Sequence, residues 1–147
     1  MRLRPSLLLS LLALCCLTTQ AALAQSDQTL VRQTVERYLH GLKFNDVPSL
    51  KAAFDPEAKL FFVKKDGSLG QLSQEQWYKG FEKSAGKEEQ GSLSIASIDV
   101  SGNIASVKVR EDYPDSIYTD YVTLLKLSSG WRIVNKVFFA ERKNKGS

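Results

Sequence analysis

Cysteine is nearly absent from the 147 residues, and the only two, Cys15 and Cys16, stand close to the start. Nothing downstream of them can form a disulfide, bind a metal through sulfur or act as a thiolate nucleophile. Histidine is scarcer still. His40 is the only one, and it falls with Arg32 and Glu36 at steps of four on the polar side of a helical pattern, which reads as an exposed row. A strong charge of either sign is also missing, since the formal charge is +4. The short basic clusters Lys64 with Lys65, and Arg142, Lys143 and Lys145, read as solvated ends, so no nucleic-acid partner is expected.

Long hydrophobic runs are limited to one, from Leu7 to Leu17, which is well short of the roughly 20 residues needed to span a bilayer. Arg2 and Arg4 precede it and the small-residue triplet Ala22, Leu23, Ala24 follows. That is the order of a cleavable secretion signal, with cleavage after Ala24. The expected organisation is therefore a signal peptide at 1–24 and a single domain at 25–147. The protein would be exported, periplasmic or secreted, with no stable membrane anchor after cleavage. A lipoprotein is not expected, because Cys15 follows Leu14 where a small residue would be needed. Loss of Arg2 and Arg4 leaves 18 basic against 16 acidic residues, and both cysteines depart with the signal, so nothing can mispair in an oxidising compartment. The remaining 123 residues suffice for one core without staples.

Past that point the pattern is helical. Val31, Val35, Tyr38 and Leu42, with Leu39, make one stripe behind an N-cap at Ser26 or Asp27. Asp46 is placed to cap a second, shorter helix that carries Leu50 and Phe54 inward, with Pro48 in its first turn and Asp55 and Pro56 ending it. Lys59 to Leu72 reads as a hairpin about Asp66 and Gly67. Ser73 and Gln76 form a capping box for a third helix, whose buried side would be Trp77, Phe81 and Tyr78. Residues 84–91 are polar and glycine-bearing and read as a mobile loop.

Four strands are expected next, at Leu93–Val100, Ile104–Tyr113, Ile117–Leu127 and Trp131–Glu141, joined by short turns into an antiparallel meander. Helices first and strands later imply an α+β fold with the helices segregated to one face of the sheet. In the third of these strands Tyr118, Val122 and Leu124 alternate with Ile117, Tyr121 and Leu125, so both faces are apolar. Helices cover one. The other suits the interface of a homodimer.

This arrangement resembles the nuclear transport factor 2-like superfamily across nearly the whole of 25–147. The resemblance rests on Val35, Tyr38, Leu39, Gly41 and Leu42 in the first helix and Asp46 opening the second. It rests most on the ending Asp120, Tyr121, Val122, Leu124, Leu125, Lys126, followed by Gly130, Trp131, Arg132, Ile133, Val134, Asn135, Lys136. That ending is similar to the branch named putative lumazine-binding. The resemblance implies a cone: three helices from the N-terminal half packed on a strongly curved antiparallel sheet around a cavity. Its members include isomerases, dehydratases, cyclases and non-catalytic binding or assembly modules, so the fold alone assigns no reaction. With His40 as its one histidine, the chain departs from the histidine-based dehydratases.

The candidate chemistry centres on Asp120, a carboxylate within an apolar strand and flanked by Tyr118 and Tyr121. Desolvated, it could abstract a proton beside a carbonyl while a tyrosine hydroxyl supported the oxyanion, which is cofactor-free isomerase or lyase chemistry. It could equally pair with Lys136 or Lys126, or face water at a strand edge. Tyr38, Phe54, Trp77, Tyr113 and Tyr118 are expected around a cavity for a small apolar or aromatic molecule. Asn135 and Lys136 alternate across the last strand, so one points inward, and Lys136 joins the candidate ligand contacts. Glu111, Asp112 and Asp115 fit no calcium loop and read as a solvated turn. Gly80, Gly86 and Lys87 mimic a phosphate loop, but the glycine spacing is one residue too long and Glu88 stands where a hydroxyl should follow. No cofactor and no metal site is expected. The leading expectation is a small-molecule-binding domain without a defined reaction; the alternatives are the isomerase or lyase, and a dimeric assembly module.

Overall fold

The computed structural model describes residues 27–144; the expected signal peptide lies outside the described residues. The first helix, α1 (27–43), buries the stripe expected of it, with Val31, Val35 and Tyr38 fully enclosed and Leu42 nearly so. Thr34 joins them. Its hydroxyl stands 3.2 Å from the carbonyls of both Leu30 and Trp131 and can donate to either, the second tying the helix to the last strand. Asn45 takes a left-handed backbone conformation (φ 50°) that reverses the chain after α1. Next comes α2 (Val47–Ala53), with a proline in its first turn. Asp46 occupies the N-cap position, but its carboxylate accepts from Ser49 Oγ instead of a backbone N–H and lies 3.7 Å from His40 Nε2. The two helices approach closely at Gly41, where a Cβ would come within 2.4 Å of Leu50 Cδ2.

Helix α2 stops at Ala53, one residue before the expected inward Phe54, which is already extended and opens β1 (Phe54–Val63). The strand therefore starts earlier than the hairpin pattern predicts. Asp55 and Pro56 fall in a register irregularity between Phe54 and Lys59, where a residue without an N–H leaves no ladder bond unmade. The turn to β2 (Leu69–Ser73) uses Gly67 at φ 82°, and Asp66 Oδ1 accepts from the Ser68 backbone. The capping box is present. Gln76 N–H donates to Ser73 Oγ while Ser73 N–H donates to Gln76 Oε1, starting α3 (Gln74–Tyr78), which tightens into a 3₁₀ turn over Lys79–Ser84. Residues 85–91 form the expected loop, and it is fastened. Lys43 Nζ donates to Gly91 O, Asn45 Nδ2 donates to Lys87 O and Glu89 Oε1, and the Glu89 N–H donates to Lys43 O.

The meander follows as β3 (Ser92–Ser101), β4 (Ile104–Asp112), β5 (Ser116–Leu127) and β6 (Gly130–Arg142). The six strands lie in the order β2-β1-β6-β5-β4-β3. All ladders are antiparallel except β1 with β6, which is parallel because the chain crosses through α3 and the whole meander before returning beside β1. Bulges at Ile95/Ser97 and Thr123/Leu124 bend the sheet around the helices. One face takes α1 and α2 onto Val107, Val109, Val122, Leu124 and Ile133, the cone-shaped α+β architecture expected. Each of these buried side chains contributes about 1.5–3 kcal/mol. The opposite face is open and carries an apolar row among polar neighbours: Tyr121 stands opposite Val137, which pairs in turn with Phe61, and Phe139 lies beside them at 65% exposure, with Lys108 and Thr119 flanking the row.

Candidate functional site

Strand alternation builds the floor of the site. Along β4, Ala105, Val107 and Val109 point into the core, and the same parity carries Glu111 inward at 3% exposure. Along β5, Leu124, Val122 and Asp120 point the same way, and Asp120 is fully enclosed. Val109 sits opposite Asp120 and Glu111 opposite Tyr118, so the two carboxylates are diagonal neighbours across one ladder. On the other side Val122 pairs with Lys136 and Asp120 with Phe138, which makes Lys136 the diagonal neighbour of Asp120 across the next. Lys136 owes its direction to the β5–β6 bulge. Trp131 and Ile133 are buried before it; the extra residue, Val134, shifts the parity, and beyond it Lys136 turns inward while Asn135 turns away.

From α1, Tyr38 reaches down onto these three groups. Lys136 Nζ donates to the Tyr38 hydroxyl oxygen at 2.6 Å and lies 2.6 Å from Asp120 Oδ2, against 3.8 Å from Glu111 Oε1. Tyr38 donates to Asp120 Oδ2 and stands 3.1 Å from Glu111 Oε1. A phenol has one proton, so it can serve one of these carboxylates at a time. The ammonium also lies 5.2 Å from the Tyr38 ring centre, 5.4 Å from that of Trp77 and 5.1 Å from that of Phe138, contacts that offset part of its desolvation.

Two buried carboxylates thus share one ammonium. Burial pushes the Glu111 carboxyl up to about 8, and Asp120 adds to the rise by its charge and by hydrogen bonding, against the opposing pull of Lys136 and Tyr38. Burial likewise raises the Tyr38 and Tyr113 phenols well above the usual range, with the carboxylates of Asp120 and Glu111 pushing Tyr38 further and that of Glu111 pushing Tyr113 further. Both phenols are neutral donors at any physiological pH.

Over this floor opens a cavity of about 700 Å³. Trp77, Phe81, Tyr113, Tyr118 and Phe138 line its walls, Glu111 and Lys136 its base, and Glu88, Glu89, Gln90 and Asp115 the side nearest the 85–91 loop. Trp77 is held from behind: Phe54 packs at 5.2 Å and Tyr38 at 6.2 Å between ring centres, and Phe81 meets it edge-on at 5.3 Å. Tyr113 and Tyr118 meet edge-on at 5.9 Å.

Of the candidate ligand contacts, Trp77, Tyr113, Tyr118 and Lys136 line the cavity together. Tyr38 and Phe54 are fully buried behind Trp77 and hold it in place without lining the space themselves. Asp120 lies beneath the floor, paired with Lys136 and not with Lys126, which instead bonds Asp27 at 2.8 Å. The reading of Glu111 as part of a solvated turn is corrected. It is buried and central, and the alternation Ala105, Val107, Val109, Glu111 carried the signal. Among the described residues no group of His, Cys, Asp and Glu is arranged to hold a metal ion. Gly86 and Lys87 lie on the surface loop, exposed and outside the cavity.

The family model described as "Putative lumazine-binding" matches residues 26–139. Solved structures agree with the fold. A nuclear transport factor 2-like protein of unknown function from Silicibacter pomeroyi is 26% identical with a TM-score of 0.70, over 80% of this chain and 98% of that one. One from Shewanella baltica is 23% identical with a TM-score of 0.73, over 80% and 96%. One from Methylobacillus flagellatus is 24% identical with a TM-score of 0.68, over 79% and 93%. None of the curated proteins matches the chain.

Proposed function

The chain belongs to the putative lumazine-binding branch of the nuclear transport factor 2-like superfamily, and on that premise we propose that it is an exported protein that holds a small, partly aromatic molecule in its cavity. The observation that carries this reading is the combination of five aromatic walls with a buried, charged floor in one space of about 700 Å³, a size and lining suited to a ligand of drug-like dimensions. The name of the branch points the same way, towards a planar heteroaromatic compound.

Export is supported by the order Arg2, Arg4, Leu7 to Leu17 and Ala22-Leu23-Ala24, and by a family match that starts just beyond the expected cleavage point. Among the described residues no helix is long and apolar enough to cross a membrane. The homodimer is part of the same proposal. Its supporting feature is the row Phe61, Val137 and Tyr121 with Phe139 on the open sheet face, where large apolar side chains otherwise meet water.

Native mass spectrometry of the protein purified from its own host tests both parts. A retained small molecule on a dimer is the expected result. An empty monomer that also fails to bind any aromatic probe at millimolar concentration would overturn the reading.

A second reading, cofactor-free isomerase or lyase chemistry, is favoured by one observation. The carboxyl a substrate would meet is Glu111, which lines the cavity and is pushed up by burial to about 8, within the range useful to a general acid or base; Asp120 would act behind it by fixing Lys136 and Tyr38.

A further inference from the structure

The floor of the cavity has an imbalance that its own residues do not resolve. Glu111 and Asp120 are 3% and 0% exposed, and among the described residues the one cation paired with either, Lys136, is 2.6 Å from Asp120 but 3.8 Å from Glu111. Among the described residues the other titratable groups that act on Glu111 or on its neighbour Tyr113 are neutral or acidic: Tyr38 from α1, Tyr113 itself just after β4, Asp120 from β5, and Glu89 of the loop, which acts on Tyr113. With all three charges present the floor carries one negative charge too many, so it stays neutral only while Glu111 keeps a proton. The single Tyr38 proton agrees with this, since it cannot serve both carboxylates at once.

Above Glu111 the walls are aromatic faces; the two loop carboxylates have partners of their own, Glu88 pairing with Lys43 at 3.3 Å and Glu89 accepting from Asn45, and Asp115 is exposed to water. Aromatic faces and a buried carboxylate attract one class of ligand in common, an organic cation. An anion would instead have to take Lys136 from Asp120, leaving that carboxylate buried without a counter-charge.

We propose that the ligand carries a positive charge, an ammonium or amidinium on an aromatic or apolar body, and that this charge docks beside Glu111 in place of the carboxyl proton. Glu111 is then the specificity-determining residue of the cavity. The inference rests on the ligand-binding reading above and adds the charge class of the ligand. Binding releases one proton wherever the empty site holds one. The affinity for a permanent cation therefore rises about tenfold per pH unit below the titration of Glu111 and levels off above pH 8 or so.

The test uses three probes that share a naphthylmethyl body and differ in the charge of the head group: (2-naphthylmethyl)trimethylammonium, 2-naphthylmethanol and 2-naphthaleneacetate. Each is titrated into the purified protein from pH 6 to 9 while fluorescence is followed, Trp77 being the one tryptophan that lines the cavity. No histidine lines it, so the slope reports the floor. The expected result is that the ammonium binds at least tenfold more tightly than the alcohol at pH 8.5, with the pH slope above. In Glu111→Gln the slope should vanish and the preference for the cation collapse. Equal or tighter binding of the alcohol or the acetate, or an ammonium affinity that is flat or falls with pH, overturns the cation proposal and leaves ligand binding standing. Failure of all three probes to bind at millimolar concentration overturns the cation proposal, and together with an empty monomer in native mass spectrometry it overturns the ligand-binding reading as well. The wild-type pH series decides the matter even if Glu111→Gln does not fold.

Discussion

Replacing Glu111 with Gln should change the protein's stability by an amount that depends on pH, with a sign fixed by the geometry of the floor. In the unfolded chain the carboxyl titrates at its ordinary 4.5; in the fold, burial beside Asp120 moves it up to about 8. Between these values the folded state holds a proton that the unfolded state has lost. The contribution of Glu111 is therefore fully present below the lower value, is lost as pH rises towards the upper one, and is level beyond it. The slope is about 1.4 kcal/mol per pH unit, so the whole span is worth on the order of 5 kcal/mol. Glutamine is the non-titrating isostere of the protonated form and removes this dependence while leaving other titrations in place. Urea unfolding of both proteins at pH 5, 6, 7, 8 and 9 gives the stability gap directly. Wild type should lose ground to Glu111→Gln from pH 5 to 8, after which the gap stays constant. A gap that does not move with pH, or one that moves in favour of wild type, would refute the claim that Lys136 is committed to Asp120 and that Glu111 keeps its proton.

Removing the shared cation is harsher. Lys136→Met leaves Asp120 enclosed without a counter-charge and should cost about 3–5 kcal/mol at pH 7, read as a lower urea midpoint, with the loss growing as pH rises and Glu111 too gives up its proton. Tyr38→Phe keeps the ring against Phe54 and Trp77 but deletes the hydroxyl that Lys136 and Asp120 both use; about 1–3 kcal/mol should be lost in the same assay, with circular dichroism unchanged. Gly41→Ala should destabilise by about 1–3 kcal/mol, because the new methyl collides with Leu50 where α1 meets α2; a neutral result would mean that the two helices can part there.

The amino-acid sequence determined what depends on neighbours along the chain. The stripe of α1, the capping box at Ser73 and Gln76, the Asp66–Gly67 turn and the four meander strands follow from spacings of two to four residues, which fix backbone geometry locally. Glu111 was legible by the same rule, since its parity in β4 matches Val107 and Val109, although its neighbours Asp112, Pro114 and Asp115 are those of a surface turn. The end of α2 was less so. Phe54 fits an inward helical position as well as it fits the first position of β1, and the pairing of Phe54 with Ile133 in β6 selects the strand.

What tertiary structure alone decided is which charges meet. Whether Asn135 or Lys136 looks inward depends on the bulge at Val134, and a one-residue shift in a strand exchanges its two faces. That Lys136 reaches Asp120 follows from the same shift, whereas Lys126 lies six residues along the same strand, out of reach; that Glu111 stands beside the pair follows from the β4–β5 register. Tyr38 completes the group only because α1 crosses the sheet at that point, bringing together residues 73, 82 and 98 positions apart in the chain. A spacing of two or four residues constrains its own turn or pleat. It cannot encode the offset between strands, and the charge balance of the cavity floor is set by that offset.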